Sequence, residues 1–113
     1  MAADCIFCKI IAKTIPSQVI AENQDLFVIQ DICPRATTHY LILPKKHVAD
    51  LMGLEPSDAK IASEVLFMAQ DLAKKLPGDN QSFRLVTNNG AGAGQSVFHL
   101  HFHFLAGKSL PGF

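Results

Sequence analysis

The chain has no tryptophan, a single tyrosine and no net charge. Ten lysines and arginines cancel ten aspartates and glutamates, so it lacks the cationic excess that displaces counterions from a nucleic-acid polymer. Its longest basic runs are the pairs Lys45-Lys46 and Lys74-Lys75, and no nucleic-acid partner is expected. Spanning a bilayer takes about 20 consecutive apolar residues. No stretch approaches that length, and no membrane partner is expected either. The opening Met1-Ala2-Ala3-Asp4-Cys5 lacks the basic and apolar regions of a secretory signal. Three cysteines, Cys5, Cys8 and Cys33, cannot all pair with one another, which suits thiols or metal ligands in a reducing compartment. A cytoplasmic protein is expected.

What is present is globular: 49% of the 113 residues are hydrophobic and 18% are charged. That length fits one domain over 1–113, with a core small enough to gain from dimerisation. Asp4 can cap a short helix from Cys5, with Ile6, Phe7, Ile10 and Ile11 at helical spacing, which Pro16 then breaks. Strands are expected over 19–22, 26–30, 39–43, 82–87 and 97–105, and a helical turn over 47–52. Beyond Pro56, residues Ile61, Val65, Met68, Leu72 and Leu76 recur at three and four positions, the stripe of one long amphipathic helix. The expectation is an α+β fold: a five-stranded antiparallel sheet with one long helix and a short N-terminal helix.

Chemistry concentrates in His99-Leu100-His101-Phe102-His103-Phe104-Leu105, which holds three of the five histidines. In a strand, alternate side chains share a face. The three imidazoles would then project to one side, while Phe98, Leu100, Phe102 and Phe104 pack on the long helix. A solvated strand face would explain polar residues here, yet lysine, threonine or glutamate would serve it equally well. A catalytic metal site is a second reading, but the outer pair lie about 13 Å apart along the backbone, near the limit of reach for one ion. The third is nucleophilic catalysis by a neutral imidazole whose other nitrogen must give its proton to an acceptor. The middle residue, His101, has a partner on each side. The preceding Gly90, Gly92 and Gly94 form either a simple turn or a loop whose amides cradle an anion. Gln95 and Ser96 add side-chain donors. The loop lacks the lysine of a phosphate-binding P-loop.

From Gly94 to Leu105 the chain resembles the histidine triad (HIT) family, whose signature alternates three histidines with apolar residues. All seven positions of that signature are met. Cys5-Ile6-Phe7-Cys8-Lys9-Ile10-Ile11, Ile15-Pro16-Ser17, Asp31-Ile32, Thr38-His39-Tyr40-Leu41-Ile42-Leu43-Pro44-Lys45-Lys46-His47 and Asn88 extend the likeness to the Hint branch. The resemblance covers roughly residues 4 to 107. It implies a HIT-like fold and a homodimer in which two sheets join into one. It implies purine nucleoside phosphoramidase activity: hydrolysis of P–N bonds in AMP-linked amines, through a nucleotidyl-histidine. His101 would be the nucleophile, with His99, His103 and His39 orienting it and contacting phosphate. Asn88, Gly94, Gln95 and Ser96 would hold the α-phosphate, Ser96 also serving the leaving amine. Asp31 would take the ribose hydroxyls of a purine mononucleotide, or merely form a turn before Ile32. Phe7, Ile10, Ile29 and Leu41 would sandwich the base, or be ordinary core. No cofactor is required for catalysis. Members with cysteines at positions 5 and 8 and histidines at 47 and 99 resemble zinc binders, so Cys5, Cys8, His47 and His99 would hold a structural zinc. Two small buried thiols are the other reading. Some members carry a tryptophan that reaches into the partner's site, which this chain lacks. A dinucleoside polyphosphate hydrolase of the Fhit type and a nucleotide-binding scaffold with incidental hydrolysis are the alternative functions.

Overall fold

The computed structural model describes residues 4–78, 81–107 and 110. Helix α1, Ile6–Ile11, starts one residue later than the sequence suggests. Its cap is therefore Cys5, whose Sγ accepts the Cys8 amide at 3.3 Å, and not Asp4. Strands β1 (Val19–Glu22), β2 (Leu26–Gln30), β3 (Thr38–Pro44), β4 (Phe83–Val86) and β5 (Phe102–Ala106) form one antiparallel sheet in the order β1-β2-β3-β5-β4. Asn23 turns the chain between the first two, its side-chain oxygen accepting the amides of Asp25 and Leu26 at 2.9 and 2.8 Å. The long helix α2, Ala59–Lys74, follows a 3-10 turn at Pro56–Asp58. There the Asp58 carboxylate accepts the Glu55 amide at 3.0 Å and pairs with Lys46 at 2.8 Å. No helix among the described residues is long and apolar enough to cross a membrane.

Period-two alternation gives the sheet two faces with different partners. On one face Leu26, Val28, Ile42, Phe104 and Ala106 pack against Val65, Met68, Ala69, Leu72 and Ala73 of α2. On the other, Phe27, Ile29, Leu41 and Leu43 meet Phe7 and Ile10 of α1. The register places His103 opposite Leu41 and Val86, and His39 opposite Leu105. Both imidazoles therefore leave the sheet on the α1 side. Phe102 and Phe104 leave it on the α2 side, as the alternation predicts.

Two expected elements are different. The turn expected over 47–52 is a 3-10 turn at Leu51–Gly53, capped by the Asp50 carboxylate, which takes the Met52 amide at 3.0 Å. The fifth strand begins at Phe102, so residues 97–101 lie outside the sheet. The chain ahead of β5 is drawn instead onto the segment after β3. The Leu100 amide donates to the Val48 carbonyl at 2.7 Å, and the Gln95 amide group donates to the Ala49 carbonyl at 2.7 Å. Losing the sheet register leaves Phe98 half exposed rather than packed on the long helix.

Phe104→Ala should cost about 3–5 kcal/mol in urea-induced unfolding, because it opens a cavity between sheet and helix. Phe98→Ala should change stability by about 0.5 kcal/mol or less. Equal losses at the two positions would contradict this placement of the 97–101 segment.

Candidate functional site

The site is built on the three backbone groups that meet its histidine rings. Nδ1 of His101 lies 2.8 Å from the carbonyl of its own neighbour, His99. A carbonyl only accepts, so this partner assigns the proton to Nδ1 and leaves Nε2 of His101 with its lone pair. Among the described residues nothing hydrogen-bonds that nitrogen. The carbonyl is itself fixed in direction, since Leu100, which follows it, is tied to Val48. Thr87 adds a second donor to the other side of the ring's backbone, its Oγ1 giving 2.7 Å to the His101 carbonyl.

The second ring is His39. Its Nδ1 accepts the Arg35 backbone amide at 3.0 Å, so the neutral ring carries its proton on Nε2. That N–H points to Nδ1 of His103 at 2.9 Å, and Oδ2 of Asp31 stands 3.3 Å from the same nitrogen. With Nδ1 accepting, His103 bears its proton on Nε2. His101 and His103 meet edge to face, with ring centroids 5.2 Å apart. A base and a donor thus stand side by side.

One polar hollow is lined by Asp31, Cys33, Arg35, His39, Asn88, Gly94, Ser96, His101 and His103. The structure therefore gathers seven of the residues singled out in the sequence and adds Cys33 and Arg35. No local pattern marks those two, because they enter through the fold of the loop between β2 and β3. Asp31 forms the turn the sequence allowed, Oδ1 accepting the Cys33 amide at 2.7 Å, while Oδ2 faces His39. Gly94 sits at φ 99°, a conformation that favours glycine, and a Cβ there would come within 3.9 Å of the Asn88 side chain.

The remaining expected contacts sort differently. Gln95 is buried and spent: its side-chain oxygen accepts the Gly90 amide at 2.8 Å, and its nitrogen serves the carbonyls of Ala49 and Val97. It holds the loop and has no donor left for phosphate. The amides of Ala93, Gly94 and Gln95 likewise close on the loop's own carbonyls. These three amides form no anion cradle, whereas the amide and hydroxyl of Ser96 and the side-chain nitrogen of Asn88 make no hydrogen bond among the described residues. Phe7, Ile10, Ile29 and Leu41 are all buried in the α1-side cluster and line no part of the hollow. Of the four, Phe7 lies edge-on to His99 and His101 at 5.9 and 5.1 Å, and Leu41 is the cross-strand neighbour of His103.

His99 departs from its two companions. It is fully buried and turns toward Cys5, Cys8 and His47, so the three rings do not share one open face. Its Nε2 donates to the Pro44 carbonyl at 2.8 Å, which frees Nδ1 as a ligand atom. That atom lies 3.4 Å from Sγ of Cys5, 3.6 Å from Sγ of Cys8 and 3.1 Å from Nδ1 of His47. Cys8 Sγ is 3.3 Å from His47 Nδ1. A tetrahedron with zinc-like bond lengths has sulfur–nitrogen edges of about 3.5 Å and nitrogen–nitrogen edges of about 3.3 Å, so these four atoms fit a tetrahedral cation. Asp31, His39 and His103 also converge closely enough to suggest a metal. They fit one poorly, because the Arg35 amide keeps a proton on the His39 nitrogen that would have to bind it.

Burial depresses the pKa values of His39, His99 and His103. It lowers that of His39, with Asp31 opposing, and that of His99, with the bond to Pro44 opposing. His103 is pushed down to about 4, first by burial and then by the neighbouring His101 and His39. His103 is neutral at pH 7 and donates a hydrogen bond without carrying charge.

The HIT domain family matches residues 12–110. An uncharacterised HIT-like protein of Synechocystis is 42% identical over 108 residues, covering 96% of this chain and 94% of the relative. Among solved structures, a histidine triad protein from Clostridium difficile superposes with a TM-score of 0.93 at 38% identity, covering 100% of this chain and 98% of the other. A HIT family hydrolase from Legionella pneumophila superposes with a TM-score of 0.90 at 37% identity, with 96% of each chain covered.

The depressed pKa of His103 makes stability depend on pH. The unfolded imidazole takes up a proton near its ordinary 6.5, while the folded one resists until about 4. The stabilisation is therefore complete above pH 6.5 and is lost as the pH falls toward 4. Thermal unfolding followed from pH 7.5 to 4 should show a falling Tm, and His103→Gln should flatten that fall. An unchanged slope in the variant would refute the burial of a neutral His103.

Proposed function

From the premise that the chain belongs to the histidine triad (HIT) family, we propose that it is a nucleotide hydrolase of the Hint type, a purine nucleoside phosphoramidase cleaving the P–N bond of AMP-linked amines. One observation carries this reading: the His99 carbonyl holds the proton on Nδ1 of His101 at 2.8 Å, leaving a bare Nε2 in a hollow that also contains Ser96, Asn88 and His103. A neutral imidazole so arranged is a nucleophile for phosphorus.

Nε2 of His101 attacks the α-phosphorus, and the P–N bond breaks. The leaving nitrogen takes a proton from the Ser96 hydroxyl, which recovers one from solvent, and departs as the free amine. The positive charge that develops on the nucleotidyl-imidazole is met by the His99 carbonyl at Nδ1. Water then attacks the same phosphorus and gives up its proton to solvent, the P–Nε2 bond breaks, and the mononucleotide leaves with His101 restored as the Nδ1–H tautomer. The Nε2–H of His103 donates to a phosphoryl oxygen throughout, positioned by His39, and the Ser96 amide and Asn88 hold the other oxygens. Asp31 takes the ribose hydroxyls. The base lies against the apolar cluster of Phe7, Ile10, Ile29 and Leu41, which requires that cluster to open one edge toward the ligand.

Cys5, Cys8, His47 and His99 would hold a structural zinc, and its chemistry is a cross-link that binds α1 to the segment carrying the nucleophile. We further propose a cytoplasmic homodimer. Free cysteines suit a reducing compartment. β4 lies at the edge of the sheet, where a second copy can pair with it, and Leu66, Phe67 and Phe83 are exposed apolar side chains.

Incubation with an adenosine phosphoramidate, followed by a quench without acid and mass analysis, should reveal a nucleotidyl adduct on the wild type. His101→Ala should show none and lose about a thousandfold or more in kcat. Tight nucleotide binding without turnover would favour a scaffold. Polyphosphate cleavage without phosphoramidate cleavage would favour the Fhit type.

Elemental analysis of the purified chain should find about one zinc per chain, and chelation should lower its Tm. A metal-free chain with unchanged Tm would refute the zinc.

A further inference from the structure

Nε2 of His39 gives its one proton to Nδ1 of His103 at 2.9 Å, and Oδ2 of Asp31 stands 3.3 Å from the same nitrogen. The negative charge of that carboxylate pulls on the N–H from the side and makes His39 a weaker donor to His103. The Asp31 carboxylate is anchored at its other oxygen by the Cys33 amide, at 2.7 Å, and it borders the same hollow as His101 and Ser96. Its Oδ2 can therefore meet a ligand hydroxyl without the carboxylate leaving its place.

The bonds from Arg35 to His103 run in a single sense. The Arg35 amide donates to Nδ1 of His39, and Nε2–H of His39 donates to Nδ1 of His103. Nε2–H of His103 is then the outgoing donor. Hydrogen bonds aligned head to tail polarise one another, so each strengthens the next. A carboxylate that draws the His39 proton off this line weakens the last donor of the chain.

We propose that Asp31 is a positioning residue that couples the ribose diol of a bound nucleotide to the donor strength of His103, by relieving the pull of its carboxylate on the N–H of His39. The coupling rests on the nucleotide-hydrolase reading of this hollow. A vicinal diol donates an O–H to Oδ2 of Asp31 and satisfies it. With that pull relieved, the His39 N–H binds Nδ1 of His103 more strongly, and Nε2–H of His103 binds the phosphoryl oxygen more strongly in the transition state. No proton changes its owner. Discrimination for a ribonucleotide over one lacking the diol thereby enters kcat, where a simple contact would enter KM alone.

The first test is spectroscopic and independent of turnover. The full chain, labelled with 15N-histidine, is titrated with adenosine and with 2′,3′-dideoxyadenosine while Nδ1 of His103 is followed. Adenosine should shift that nitrogen in the direction of stronger hydrogen bonding, and dideoxyadenosine should leave it near its free position. In Asp31→Ala the two nucleosides should act alike. Equal shifts in the wild type would overturn the coupling, and a chain that binds neither nucleoside would overturn both the coupling and the hydrolase reading.

The second test is kinetic. Wild-type kcat should be about fivefold higher for adenosine phosphoramidate than for its 2′,3′-dideoxy counterpart, the effect of roughly one hydrogen bond. In Asp31→Asn the carboxamide retains the turn at Cys33 but removes the charge that competes for the His39 proton, and the two kcat values should converge. A wild type in which only KM differs would overturn the coupling. A nitrogen shift of the expected kind with no turnover of either compound would overturn the hydrolase reading and the kcat discrimination, leaving only the link from the diol to His103.

Discussion

The bond between the His99 carbonyl and Nδ1 of His101 exists only because residues 97–101 leave the sheet. Within a regular ladder that carbonyl would be committed to a neighbouring strand, and the ring two residues on would have no backbone acceptor of its own. Donation of the Leu100 amide to Val48 at 2.7 Å takes the segment out of register and turns the carbonyl inward. The same detour sends the side chain of His99 one way and its carbonyl the other. In place of ladder bonds, the segment is held by those that Gln95 makes to the carbonyls of Ala49 and Val97. A fixed tautomer follows.

His99 therefore joins two regions that would otherwise be independent. Its ring belongs to the Cys5–Cys8–His47 cluster and its carbonyl to His101, and Phe7 of α1 lies against both rings. Any ligand that stiffens the cluster also stiffens the acceptor that decides which nitrogen of His101 is basic. α1 is six residues long, too short to be stable alone. Its position must come from the apolar contacts of Phe7 and Ile10 and from whatever its two thiols bind.

Much of this was legible in the sequence, because side-chain pattern and strand period are side-chain properties. The alternation of Phe102, His103 and Phe104 matches their faces, and the stripe from Ile61 to Leu72 faces the core as read. The four residues Cys5, Cys8, His47 and His99 do converge. What was not legible runs through the main chain. Nothing in residue types says that the Pro44 carbonyl will meet His99, that the Arg35 amide will meet His39, or that Val48 will end the strand early. Gln95 misleads for the same reason: as a residue type it is a donor for phosphate, yet its neighbours here are carbonyls. Phe7, Ile10, Ile29 and Leu41 carry no mark that separates a base-binding wall from core.

These backbone contacts also explain how a buried group of histidines can remain neutral without being inert. Burial lowers the pKa values of His39, His99 and His103, and a neutral imidazole is both donor and acceptor, with the two roles exchangeable between its nitrogens. In water the two tautomers interconvert freely, and an unanchored ring would present a lone pair and an N–H by turns. Here one backbone atom per ring removes that freedom: an acceptor for His99 and for His101, a donor for His39. The sense of each remaining nitrogen is then forced. His99 offers a lone pair to the thiol cluster, His101 offers one to the hollow, and His39 passes an N–H to His103. Three rings of identical chemistry acquire three distinct functions from the main-chain atoms beside them.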